Sequence, residues 1–247
     1  MKTLISSRWN RILAVPLSVL LLGVGLLFSA AASAQSTTIV GSPHDFSAIG
    51  WSGGEICVVC HTPHNAYTEA EANAGAGETG PLWNRTLTGV TSYALYTSLT
   101  RVGSDIDALG FGQPTGVSKL CLSCHDGTIA IDSFGRNPDN SLNTSGTVFV
   151  GALNANANIG EGSGTTGDLS NDHPVAFTFP TQVLDPEIAA FTPGVVNGTT
   201  YPLPLFGTGG DQMECATCHD VHATGTFGPL LRVDNDGSDL CLNCHLK

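Results

Sequence analysis

Four pentapeptides of one form constrain this chain more than anything else in it. They are Cys57-Val58-Val59-Cys60-His61, Cys121-Leu122-Ser123-Cys124-His125, Cys215-Ala216-Thr217-Cys218-His219 and Cys241-Leu242-Asn243-Cys244-His245. Together they use all eight cysteines, so none remains for a disulfide framework. Two cysteines three positions apart lie on nearly one side of a helical turn. From there both thiols can form thioethers to the two vinyl groups on one edge of a haem, and the next histidine reaches the iron from one face. The same cysteine spacing also serves zinc and thiol redox sites. Four copies, each closed by histidine, on a chain that begins with an export signal favour covalent haem. The expectation is four covalently attached haem c groups on Cys57 and Cys60, Cys121 and Cys124, Cys215 and Cys218, and Cys241 and Cys244. Their first iron ligands are then His61, His125, His219 and His245.

The histidine count extends this reading. Four of the eight histidines lie outside the motifs: His44, His64, His173 and His222. Four irons leave four sixth positions, and methionine hardly competes, since only Met1 and Met213 exist. The economical arrangement is four bis-histidine, low-spin haems, without the rise in potential that a methionine ligand brings. His64 and His222 each follow a motif histidine by three positions. Helical side chains at that spacing are only about 5–6 Å apart at Cβ and share a face. One haem plane cannot be gripped from both sides by such a pair, so His61 and His64 are expected on different irons, as are His219 and His222. Pro63 disfavours a helix in the first pair, but the short separation argues against one shared iron regardless.

Residues 1–34 read as a signal peptide. Lys2, Arg8 and Arg11 form a basic start, Ile12 to Phe28 is an uncharged apolar run, and Ala32-Ser33-Ala34 is a small-residue cleavage site. The rival is a retained anchor, but the run is 17 residues with Pro16 inside it, short of the about 20 a span needs. The chain from Gln35 onward holds all 21 acidic residues and six of the nine basic ones, a formal charge of −15. That argues against nucleic acid and against an anionic membrane surface as partners.

An N-terminal arm, residues 35–56, is polar and carries His44 without helical periodicity. Residues 66–80 read as a loop or short helix. Ser118 is the expected N-cap of a helix through the second motif, and Gly127 its close. Between Asp132 and Gln212 the chain is poor in charge, rich in Gly, Asn, Thr, Ser and Pro, and holds one potential ligand, His173. Val175 to Phe179 alternates as a short strand does. The rest is expected as ordered coil over the haems. The fold class is therefore a multihaem cytochrome c: mostly irregular coil, short helices at the haem motifs, and a few short strands packed around a haem chain. Residues 35–247 are expected to form a single tetrahaem cytochrome c domain.

The chain resembles the tetrahaem outer-surface cytochromes of the OmcE type, which polymerise into conductive filaments in metal-reducing bacteria. The resembling stretches are Pro43-His44-Asp45-Phe46-Ser47, Cys57 to Asn65, Leu120 to Gly127, Asp172-His173-Pro174-Val175, Cys215 to His222 and Cys241 to His245. The resemblance implies a continuous haem stack and self-association. It also implies that His44 ligates a haem of the neighbouring subunit, the one on Cys241 and His245. On this reading the protein is exported to the outer cell surface, passes electrons to other redox proteins or extracellular acceptors, and transforms no substrate. Three alternatives stay open: a multihaem reductase with one open haem, a membrane-anchored quinol-oxidising protein, and a monomeric periplasmic shuttle.

Overall fold

Helices enter three of the four cysteine motifs, whereas the first, residues 57–61, is held in turns instead of the expected helix. The computed structural model describes residues 39–68, 82–96, 112–160, 166–179, 187–188, 195–196, 199–200, 203–207, 209–222, 228 and 230–246. The expected signal peptide lies outside these residues, as does most of the 66–80 segment. All described residues belong to one compact unit, Thr37–Lys247.

The longest element among the described residues is helix α1, Gly116–His125, which carries the second motif. Its N-cap is Thr115, so the expected cap, Ser118, sits inside the first turn and is fully buried. The reason is a tertiary bond: the Ser118 hydroxyl and N–H both donate to the Glu214 carboxylate. The end of α1 follows expectation. Asp126 N–H donates to Leu122 O at 3.0 Å, and Gly127 turns the chain with φ +72°, a left-handed conformation that glycine adopts without strain.

Three further helices among the described residues are single turns: α2, Val150–Leu153; α3, Cys215–Cys218; and α4, Asp239–Leu242. Glu214 caps α3 in a reciprocal box with Thr217. Four two-residue strands follow in order: β1, Phe177–Thr178; β2, Val195–Val196; β3, Thr199–Thr200; and β4, Gln212–Met213. β1 pairs antiparallel with β4, Phe177 opposite Met213, and β2 pairs antiparallel with β3. The expected strand within 175–179 is thus present in shortened form. Short helices, brief strands and extensive coil agree with the multihaem cytochrome class.

Apolar packing among the described residues is divided into small clusters. Tyr67, Trp83 and Leu87 form one, Tyr93, Leu122 and Leu169 a second, Leu203 and Val233 a third. α1 packs on α3. There the Ser118 hydroxyl donates to Glu214 while accepting from Cys215 N–H at 3.0 Å.

The N-terminal arm is described from residue 39 onward. It folds into two 3₁₀ turns, Phe46–Ala48 and Gly50–Ser52, and the Ser52 hydroxyl donates to Phe46 O at 2.7 Å. Aromatic contacts then fix it to the body, with Phe46 5.6 Å from Trp51 and Trp51 5.9 Å from Phe134 between ring centres.

Candidate haem-binding site

Three of the four motifs share one backbone device. At the first, Thr62 N–H donates to Leu82 O, Asn84 N–H donates to Cys60 O, and His61 bridges antiparallel to Trp83. At the third, Asp220 N–H donates to Leu230 O, Arg232 N–H donates to Cys218 O, and His219 bridges to Leu231. At the fourth, Leu246 N–H donates to Glu187 O and His245 bridges to Ile188. A second strand thus holds the backbone of the motif histidine, which fixes where its side chain starts. In the first and third motifs a side chain adds to this. Asn84 Nδ2 donates to Val58 O at 2.5 Å, and Arg232 Nε donates to Ala216 O at 2.8 Å.

These partners were missed in the sequence, although a signal was there. Gly80-Pro81-Leu82 and Gly228-Pro229-Leu230 each follow a C-x-x-C-H-x-x-H segment. Leu82 and Leu230 adopt the same left-handed backbone, φ +58° and +60°. The second motif lacks the device because α1 already fixes it; there His125 O accepts from Ile159 N–H at 2.8 Å.

No disulfide joins any of the eight cysteines. Burial raises the pKa of Cys60 to about 12, and the nearby Cys124 adds to the rise. Burial likewise raises Cys218 to about 11 and Cys244 to about 12, each with thiols of the neighbouring motif contributing. Cys121 is pushed up and Cys215 down, first by the hydrogen bond they share. Cysteines of successive motifs therefore lie close together: first with second, second with third, third with fourth.

The histidines pair across motifs. The His125 ring lies 5.9 Å from His44, His61 lies 6.1 Å from His222, and His245 lies 6.4 Å from His173, centre to centre. A ligating imidazole nitrogen sits about 2 Å from a metal ion and roughly 1 Å from its own ring centre, so two rings on opposite sides of one ion have centres about 6 Å apart. All three separations fit that distance. Each pair joins one motif histidine to one histidine outside the motifs.

Ring nitrogens support the same fit. His125 Nδ1 lies 2.7 Å from Ala157 O, and His173 Nδ1 lies 2.9 Å from Pro174 O. A proton held there leaves the Nε2 lone pair for a metal, the usual support for a ligating imidazole. His44 Nδ1 is buried without a hydrogen-bond partner. Burial first, then the charges of His125, His219 and His222, lowers the pKa of His44 from 6.5 to about 4. His173 keeps an exposed face, yet the atoms around it and then His245 lower its pKa, against a rise from the bond to Pro174. Both shifts favour the neutral ring, the form that binds iron.

His44, expected to serve a neighbouring subunit, lies beside a motif of its own chain. Its ring faces His125 of its own chain, and His245 has His173 beside it. His222 faces His61, a histidine of another motif. His64 is exposed, and among the described residues no ring packs against it.

Residues 208–247 match the family model described as a doubled CXXCH motif. The match covers the third and fourth pentapeptides and supports a haem-binding, electron-transferring multihaem c-type cytochrome. Such cytochromes are mainly electron carriers and are typically exported. No curated protein matches the chain. Among the described residues no helix is long and apolar enough to cross a membrane.

Proposed function

We propose that the chain carries electrons through four bis-histidine c-type haems and serves as the subunit of an extracellular filament. The observation that carries the electron-transfer reading is the set of three histidine pairs at 5.9, 6.1 and 6.4 Å. Haem supplies the one-electron chemistry when bound; the chain's own residues anchor it, orient it and close both sides of the iron. Cys57 and Cys60, Cys121 and Cys124, Cys215 and Cys218, and Cys241 and Cys244 hold the four groups. His61 with His222, His125 with His44, and His245 with His173 close three irons within the chain. An iron closed on both sides offers no position to a substrate, so this reading is of a carrier and not an enzyme.

By count, the fourth iron is that of Cys215, Cys218 and His219, and the remaining imidazole is His64. What supports His64 as a ligand supplied to a neighbouring subunit is its exposure, together with the resemblance to filament-forming cytochromes. This moves the intersubunit role from the arm to the first motif. A head-to-tail contact of that kind does not close on itself and generates a filament. Export and an outer-surface location follow from the same reading, with other redox proteins or extracellular acceptors as partners.

The test is a haem count by mass spectrometry, with particle size by gel filtration and electron microscopy, on the wild-type protein and His64→Ala. Four haems in both, with long assemblies lost in the variant, is the expected result. Fewer than four haems contradicts the tetrahaem reading, and normal filaments from His64→Ala contradict the intersubunit role.

A further inference from the structure

Arg85 is fully buried, with 0 % of its surface exposed. Backbone bonds explain how it got there. Tyr67 N–H donates to Trp83 O at 2.7 Å and Asn84 N–H to Cys60 O at 2.9 Å, so residues 82–85 run beside the first motif. The guanidinium then donates from Nη1 to Ile131 O at 3.2 Å and from Nη2 to Ala130 O at 2.9 Å. Its Nε is buried with no partner. Both acceptors are neutral carbonyls, and among the described residues no carboxylate pairs with this cation. A buried charge without a counter-charge is unfavourable.

Next to the second and third motifs the buried charges have the opposite sign. Asp126, 0 % exposed, directly follows His125. It accepts from Tyr93 Oη at 2.6 Å, from Thr128 N–H at 2.9 Å, from Thr128 Oγ1 at 2.7 Å, and from the Thr88 hydroxyl. Its two oxygens thus meet four donors. Glu214, 3 % exposed, directly precedes Cys215 and accepts from both donors of Ser118.

We propose that these buried charges grade the four haem potentials, with Arg85 making the haem on Cys57 and Cys60 the highest and Asp126 and Glu214 lowering the next two. Adding one electron to a ferric haem lowers the charge of that site by one unit, and no atom or proton need move. A fixed cation in a low-dielectric interior favours the electron-rich form, while a fixed anion favours the oxidised form. The Arg85 charge is felt at the first motif, where it opposes the burial that raises Cys60. Electrons in the chain then settle toward the first-motif end. The inference rests on the tetrahaem reading above, and the haem count and low-spin absorption spectrum of each sample check that reading separately.

The test is a mediated spectroelectrochemical titration of the holoprotein, Arg85→Gln and Arg85→Lys. Arg85→Gln is expected to shift the highest midpoint downward, and Arg85→Lys, which keeps the charge, to retain it. Four unchanged midpoints in Arg85→Gln overturn the proposal, as does an equal shift in both variants. Should Arg85→Gln fail to accumulate as holoprotein, Asp126→Asn carries the test: one of the lower midpoints rises if the proposal holds, and none moves if it does not.

Discussion

At His44, burial and three neighbouring histidines lower the pKa from 6.5 to about 4. The unfolded chain takes up a proton on this ring as the pH falls below 6.5, whereas the folded chain resists until about 4. The stability held by the neutral ring is therefore whole above 6.5 and is lost as acid takes the ring through about 4. Acid titration of the holoprotein, followed by absorption, should show the low-spin bands steady near neutrality and one haem turning high spin only as acid displaces this ring from iron; a change confined to alkaline pH contradicts it. The ligand reading makes a second prediction. His44→Ala should leave four haems and intact assemblies but convert one haem to high spin, seen as a new charge-transfer absorption band. Lost assemblies with unchanged spin state would return His44 to an intersubunit role. The candidate ligands could be picked out in the sequence, since four motifs are matched by four histidines outside them. Which imidazole faces which could not be, because the pairs join residues as distant as His61 and His222, and only tertiary packing brings those together.

Between elements, the junction of α1 and α3 depends on Ser118 and Glu214. Removing the hydroxyl leaves a buried carboxylate oxygen short of a donor, which costs about 1–3 kcal/mol. Ser118→Ala should accordingly lower the thermal midpoint of the holoprotein, and an unchanged midpoint would show that water replaces the bond. Leu122, 1 % exposed between Tyr93 and Leu169, anchors the other side of α1. Leu122→Ala should cost more, about 2–5 kcal/mol, measured by denaturant unfolding. The helix through the second motif and its close at Gly127 could be read from the sequence, since both are local signals. Its start could not be read, because Ser118 favours N-caps in general but here serves a residue 96 positions away. The bridges at His61 and His219 lay between these cases: their Gly-Pro-Leu signal is written twice, but only as a repeat does it stand out from ordinary turn composition.

Over the whole molecule, apolar clusters as small as Leu203 with Val233 leave much coil with little side-chain core of its own. Haems anchored at four places along the chain would supply the missing apolar surface, so reducing the haem load should unfold the chain cooperatively instead of freeing one site. The formal charge of −15 beyond residue 34 adds a long-range term. Subunits this acidic repel, so assembly should weaken in dilute buffer and recover at moderate salt, checked by light scattering against ionic strength. The general class, mostly coil with short helices, was legible from the motifs, although a helix forms at only three of the four. The folding of the arm onto Phe134 was not, because polar composition hid the three aromatic residues that pin it. The measurement that bears most directly on the account is low-temperature electron paramagnetic resonance of the fully oxidised, assembled protein. Four low-spin ferric haems and no stoichiometric high-spin signal is the predicted result. A high-spin signal equal to one haem per chain would contradict it, by showing an iron with one side left open.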